Sequence, residues 1–290
     1  MDVVICIALK DIYFFNKNLY FINKNLVPNH IYVVTDKRNN RYITNKYNNV
    51  TIIDENNLVP GLNFGKIKKY IDDKGFRYRQ YGWYFQQFLK IGFALSQYAK
   101  NEYLVWDADT VPLNPIKIKN GDKYLLLPKT EHNQAYFDTI DRLFDAPLKA
   151  NYSFISEHMV FNVSIVKEMV DSIVKKSKSN QQWFEICINS VDPMAANGFS
   201  EFETYGTYCL NYHPNLFEIR TLRTFRRCGY IFGIFATRKE INSLKDDLDT
   251  GSFEAYDYSV ALWRRIKQYI LFYLCKIITK LRIYFRNMPI

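Results

Sequence analysis

Tyr103-Leu104-Val105-Trp106-Asp107-Ala108-Asp109-Thr110-Val111-Pro112 is the stretch from which the rest of the chain is best read. Its first four residues are apolar or aromatic, the pattern of a short buried strand, and Pro112 with Pro115 stops any helix behind it. Two carboxylates follow, one residue apart. In extended chain, residues i and i+2 point the same way, with Cα atoms roughly 6–7 Å apart. Asp107 and Asp109 are therefore expected together at the carboxyl end of a strand, where open α/β sheets bind ligands. Two hard oxygen donors with little other protein around them suit Mg²⁺ or Mn²⁺, which keep their remaining positions for water and phosphate. Taken alone, Asp-x-Asp is a weak signal, more often a turn with solvated charges; the buried strand before it and the prolines after it favour the metal reading here.

Upstream, residues 3–9 read as an apolar first strand, with Asp11 as cap of the helix that follows. Residues 31–35 and 50–53 read as two more strands. Strand, helix, strand, strand predicts a parallel sheet flanked by helices, an α/β fold. No glycine-rich loop follows the first strand, which disfavours a G-x-G-x-x-G dinucleotide site and a Walker loop. A nucleotide would then be held by metal and side chains. Asp11 and Asp36, at strand ends, are candidates for its base or ribose, or else a cap and a turn residue.

Residues 81–97 have helical periodicity. Tyr84, Phe88, Ile91 and Leu95 share one side, while Gln86, Gln87 and Lys90 fall on the other. That polar side is either solvated or a surface able to hydrogen-bond a sugar and a diphosphate, with Arg77 and Arg79 just upstream. Further on, 124–127 reads as a strand, 136–144 as a short helix, and 156–162 as a strand carrying His158. Ser164 is expected to cap a helix to 176, and 181–189 to form another. Ser200 and Glu203 have capping-box spacing, which leaves Glu201 at the first helical position without a capping duty. Residues 217–222 and 230–235 read as strands flanking the basic turn 223–227.

The 290 residues carry 48% hydrophobic and 17% aromatic side chains, enough for a large core and against disorder. Five cysteines without a C-x-x-C pair argue against a disulfide framework or a cysteine zinc site, and fit a reducing compartment. The N-terminus lacks the basic segment of a signal peptide, and no window of 18 apolar residues predicts a spanning helix. Of the net charge of +10, residues 257–290 hold +6, from seven basic residues against Asp257. The same stretch has apolar residues at three-to-four spacing (Ile266, Ile270, Tyr273, Ile277, Leu281, Tyr284). This predicts a basic amphipathic helix over 256–286 that lies on an anionic membrane surface, or packs on the protein or on a second copy. Charge confined to one terminal segment disfavours nucleic acid as a partner.

Together these pieces resemble nucleotide-sugar glycosyltransferases of the GT-A fold, and more narrowly bacterial enzymes of surface polysaccharides (lipopolysaccharide and capsule). The resemblance rests on Trp83-Tyr84-Phe85-Gln86-Gln87-Phe88-Leu89-Lys90, on the Asp-Ala-Asp stretch, on Glu157-His158-Met159-Val160-Phe161-Asn162 and on Phe199-Ser200-Glu201-Phe202-Glu203-Thr204-Tyr205-Gly206. It runs from residue 3 to about 222 and does not cover the tail. It implies a Rossmann-like mixed sheet flanked by helices in residues 1–253, followed by the basic helix of 254–290. It further implies Asp109 as direct metal ligand, Asp107 as ligand of metal or ribose, and His213 as a third metal ligand. Gln86, Gln87 and Lys90 would face the donor sugar and diphosphate, with Asp36, Arg79 and His158 also in the donor site. An inverting enzyme would need a carboxylate base, Glu201 first and Glu203 second. The implied partners are a nucleotide sugar, UDP-sugar favoured, and a glycan or lipid-linked acceptor at the cytoplasmic face of the inner membrane. The competing expectations are a sugar-nucleotide binding module without turnover and a nucleic-acid-binding protein.

Overall fold

The computed structural model describes residues 1–254 apart from Asn45, Ala146 and Ala150, together with Asp257, Trp263, Ile266, Lys267, Ile270 and Leu274. In chain order the elements begin with β1 (Asp2–Cys6), α1 (Ile12–Leu26), β2 (Ile31–Thr35), β3 (Val50–Asp54), α2 (Phe64–Asp73), α3 (Tyr81–Gly92) and β4 (Glu102–Trp106). They continue with β5 (Thr110–Pro112), β6 (Lys119–Asn120), β7 (Lys123–Leu126), α4 (Gln134–Leu143), β8 (His158–Asn162), α5 (Val163–Ser177), α6 (Trp183–Ser190) and α7 (Glu201–Tyr212). Last come β9 (Phe217–Ile219), β10 (Thr224–Phe225), α8 (Gly229–Phe232), α9 (Arg238–Asn242) and β11 (Thr250–Ser252).

The chain forms two compact units. The first comprises Met1–Ile12, Val27–Ala108 and Ile116–Leu222; the second comprises Tyr13–Leu26, Asp109–Pro115 and the chain from Arg223 onward. The first unit is built on a five-stranded sheet of order β3-β2-β1-β4-β8. β1 pairs in parallel with β2 and with β4, and β2 with β3, while β8 runs antiparallel on β4 and sets His158 opposite Trp106. Strands covered on both faces need continuous apolar runs, and every residue of β1 is buried. The chain winds from β1 outward to β3 and then places β4 on the opposite side of β1. The strand order therefore reverses between β1 and β4, which makes their carboxyl ends the ligand-binding crevice of such a sheet. The same unit holds the small sheet β6-β7-β9. In the second unit, β10-β11-β5 and α1 surround Phe14, Phe21, Val111, Leu113, Cys228 and Phe253.

The α/β architecture, with helices on a mostly parallel sheet, is the one the sequence predicts. Several local expectations are corrected. Residues 230–235 do not form a strand: Gly229–Phe232 is a helical turn ended by Gly233 at φ 71°. An apolar run that short carries no period by which to tell strand from helix. The cap of α5 is Asn162, whose side chain accepts from the N–H groups of Ser164 and Ile165 at 3.0 and 3.2 Å. Asp11 occupies the N-cap position of α1 without a side-chain capping bond. α3 stops at Gly92 and passes into a 3₁₀ turn at Phe93–Leu95. The helix expected over 256–286 lies largely outside the described residues; Trp263, Ile266, Lys267, Ile270 and Leu274, which are described, are helical. No helix among the described residues is long and apolar enough to cross a membrane.

Candidate active site

The polar side of α3 is not a solvated face. Gln87 and Lys90 are buried, and Gln86 is half-buried. All three are engaged inside the first unit. The Gln86 amide donates to the carbonyl of Cys6, the last residue of β1, at 3.0 Å. Lys90 Nζ donates to Asp107 Oδ1 and to Glu201 Oε1, at 2.7 Å each, and lies 4.5 Å from the centre of the Phe202 ring. Gln87 Oε1 accepts from the Glu201 backbone N–H at 3.4 Å. α3 thus ties the end of β1, the end of β4 and the start of α7 into one charged cluster at the strand-order reversal.

The members of the cluster differ in access. The side chains of Lys90 and Glu201 are 4% and 2% exposed, whereas that of Asp107 is 28% exposed. Asp107 is held from behind, its N–H donating to the Glu157 carbonyl at 2.9 Å. Burial alone pulls the Lys90 ammonium towards neutrality, but the Asp107 and Glu201 carboxylates outweigh it and hold its pKa above the ordinary lysine value. For Glu201, burial raises the pKa, Lys90 opposes the rise, and the charge of Asp107 adds to it. Burial also raises the pKa of Asp11, and the charge of Asp107 contributes, so this carboxyl belongs to the same electrostatic neighbourhood. One ammonium between two carboxylates leaves the cluster with one unit of negative charge, and Asp107 is the member that can present it to a ligand.

Other anticipated residues have different surroundings. Glu203 accepts from Ser153 Oγ and from the Phe154 N–H, both at 2.9 Å, while Ser200 Oγ accepts from the Glu203 N–H at 3.3 Å. Only half of the expected capping box exists, because the Glu203 carboxylate serves a neighbouring loop instead. Its pKa is raised by burial, against the hydrogen bonds from Phe154 and Ser153. His158 is buried, stacked on Trp106 with ring centres 4.5 Å apart, and its Nε2 lies 2.6 Å from Arg220 Nη2. A guanidinium only donates, so Nε2 accepts and the proton sits on Nδ1. Burial, then Arg220 and Lys129, push the His158 pKa well down and keep the ring neutral. Arg220 and the Lys129–Glu157 pair, at 3.0 Å, escaped the sequence reading, since nothing local links them to His158. Asp36 is held by Arg38 through two side-chain contacts of 2.8 and 2.6 Å, which lower its pKa. Arg79 is exposed, 3.7 Å from Asp72.

His213 has Nε2 at 3.1 Å from both carboxylate oxygens of Glu168. Among the described residues, no three His, Cys, Asp or Glu side chains come together as a metal-ligating group. In the first unit Asp107 is suited to an ion, since Lys90 occupies only Oδ1. Asp109 is the first residue of its segment in the second unit, where its carbonyl accepts from the Phe253 N–H at 2.9 Å. One or two carboxylates completed by phosphate and water are how Mg²⁺ is usually held, and Asp107 could serve as one such carboxylate.

No protein-family model matches this chain, and no curated protein matches it. Solved structures do show similarity. The galactosyltransferase LgtC in complex with donor and acceptor sugar analogues is similar over 92% of this chain and 95% of its own, at 11% identity and a TM-score of 0.45. An active-site mutant of LgtC covers the same shares at 12% identity and a TM-score of 0.46. The apo form of mouse xyloside xylosyltransferase 1 is similar over 89% of this chain and 99% of its own, at 9% identity and a TM-score of 0.45. With identities of 9 to 12%, the case for an activity rests on the residues of this chain.

Proposed function

We propose that this protein is a glycosyltransferase that moves a sugar from a nucleoside-diphosphate sugar to a hydroxyl of a glycan or lipid-linked acceptor. The observation that carries the reading is the Lys90 ammonium held between Asp107 and Glu201 at the carboxyl ends of β1 and β4. Each buried ion costs several kcal/mol in lost hydration, and a core of apolar residues would avoid that cost. The arrangement has a chemical use. Paired with Asp107 alone, Lys90 would cancel it; with Glu201 as a second partner, Asp107 keeps charge to offer a cation. Mg²⁺ or Mn²⁺ held by Asp107 would offset the negative charge that gathers on the departing nucleoside diphosphate.

In this reading Gln86, half-buried beside the end of β1, would contribute to the donor site, and Gln87 accepts from the backbone N–H of Glu201. A general base has to reach the acceptor hydroxyl. The Glu201 carboxylate is closed off and bound to Lys90, and Glu203 is bound to Ser153 and Phe154. We therefore assign Glu201 to anchoring Lys90, and inversion of configuration is not part of the proposal.

The test is a panel of nucleotide sugars, UDP-sugars first, incubated with Mn²⁺ while free nucleoside diphosphate is measured. One donor should be turned over, a chelator should stop it, and Asp107→Asn should slow it by at least about 100-fold, the scale of losing a group that stabilises developing charge. Turnover unchanged by the chelator would remove the metal. A folded protein that binds a donor yet turns over none would make the chain a binding module.

A further inference from the structure

The face of α3 that carries Gln86, Gln87 and Lys90 begins one turn earlier, with Trp83. At about 100° per residue, all three lie within about 60° of Trp83 around the helix. The Trp83 indole stacks on the ring of Tyr136 in α4, with ring centres 6.2 Å apart and planes 11° from parallel. It also meets the ring of Tyr84 edge-on at 4.9 Å. Tyr84 and Tyr136 are buried and Trp83 is half-buried, so of the three it is the ring open to a ligand. These rings adjoin the charged cluster. Burial raises the Tyr136 phenol pKa to about 12, a hydrogen bond with Asn133 opposes the rise, and the carboxylates of Glu201 and Glu203 add to it. One helix face thus has a charged end at Lys90 and an aromatic end at Trp83, roughly 10 Å apart along the axis.

We propose that Trp83 is the platform on which the acceptor stacks, so that the acceptor, lipid-linked or free, presents a pyranose ring to the site. This rests on the transferase reading and names the acceptor of that reaction. A pyranose is amphipathic: the C–H groups of one face pack on the electron-rich face of an indole, and its hydroxyls turn to polar groups. A hydrocarbon chain would gain from Trp83 but would lie against Gln86, Gln87 and Lys90 on the same face. Position separates acceptor from nucleoside. α4 packs on α5 and α7, which both contact β8, whereas β2 and β3 lie at the opposite edge of the sheet. A diphosphate at Asp107 with its nucleoside towards β2 and β3 leaves the transferred sugar, and then the acceptor, on the Trp83 side.

Full-length protein labelled with 5-fluorotryptophan gives a fluorine resonance for each of its four tryptophans, and the one lost in Trp83→Phe is that of Trp83. Methyl pyranosides of glucose, galactose, mannose and N-acetylglucosamine are titrated in turn, with Mn²⁺ and UDP present. At least one should shift the Trp83 resonance saturably and leave those of the buried Trp106 and Trp183 in place. Trp83→Leu keeps an apolar side chain but no ring. It should weaken binding of that pyranoside at least about threefold, read by saturation transfer to the sugar's C–H protons, with Trp83→Phe in between. Circular dichroism checks that both variants fold, and Trp83→Phe carries the comparison if Trp83→Leu does not. A Trp83 resonance that none of the four pyranosides moves overturns the proposal. So does a folded Trp83→Leu protein that binds the pyranoside like the unsubstituted one. A resonance moved by uridine but by no pyranoside gives the ring to the nucleobase and overturns it as well. The transferase reading fails separately: pyranoside binding at Trp83 in a protein that turns over no nucleotide sugar leaves the platform standing and that reading fallen.

Discussion

Lys90 compensates Glu201 in a place with almost no access to water, so its removal strands the Glu201 carboxylate. Lys90→Met should cost about 3–5 kcal/mol, the usual loss when one partner of a buried ion pair is removed. Urea denaturation at pH 7.5 measures it. The loss should shrink on acidification. Burial already raises the Glu201 pKa, and without Lys90 it rises further; stability is then regained as the pH falls towards the ordinary carboxylate range and lost as the pH climbs back through the folded value. An unchanged denaturation midpoint at both pH values would refute the account. The two glutamates of α7 should separate by phenotype. Glu201→Gln leaves Lys90 to neutralise Asp107 and should weaken metal-dependent donor binding at least about tenfold, given the strength of interaction between charges a few ångströms apart. Glu203→Leu removes the acceptor shared by the Phe154 N–H and the Ser153 hydroxyl and should cost about 1–3 kcal/mol of stability with donor turnover preserved. The opposite pattern would exchange the two assignments.

At the scale of the element, α7 depends on close approach at Gly206. A Cβ there would lie 2.5 Å from a carbon of the Phe154 ring. Alanine favours a helix by about 1 kcal/mol over glycine, but overpacking a core costs about 1–3 kcal/mol. A rigid ring cannot withdraw as a flexible chain end can, so Gly206→Ala should be net destabilising, with partial recovery on adding Phe154→Leu. Equal or higher thermal stability of the single variant would contradict this. The ends of β2 and β3 bring another test. Glu55 follows β3, and burial, then Asp36 and Asp54, push its carboxyl up from 4.5 to about 7. A folded pKa above the unfolded one favours folding below the unfolded value, and that contribution is lost as the pH rises through the folded value. Glu55→Gln should therefore be more stable than the native protein at pH 8, with the difference vanishing near pH 4.5. Parallel stability curves for the two proteins would show that Glu55 is not the titrating group.

For the whole molecule, ligand linkage joins the site to global stability. A donor with Mn²⁺ present at about 100 times its dissociation constant stabilises the native state by about 2.7 kcal/mol. For a fold of this size that corresponds to a melting-point rise of roughly 5–10 °C. The rise should need metal and donor together and should disappear in Asp107→Asn, as scanning calorimetry can establish. A rise produced by the donor alone would separate donor binding from the metal.

What the sequence determined by itself was the layered α/β plan and the inventory of reactive groups. Continuous apolar runs such as Val3-Val4-Ile5 and Ile31-Tyr32-Val33-Val34 mark strands buried on both faces. The polar side of α3 and the two carboxylates after β4 follow from local periodicity, which depends only on neighbours along the chain. Pairing does not. Lys90 meets Asp107 17 positions away and Glu201 111 positions away. Glu203, with capping spacing to Ser200, gives its carboxylate to Ser153, 50 positions off. His213 similarly finds Glu168, 45 positions away. The tertiary structure alone decided that Glu201 is buried against Lys90 and that Asp107 is the more accessible of the two carboxylates. A charged group is governed by whichever partners and solvent lie within a few ångströms of it, and those distances are set by chain crossings that no local period records.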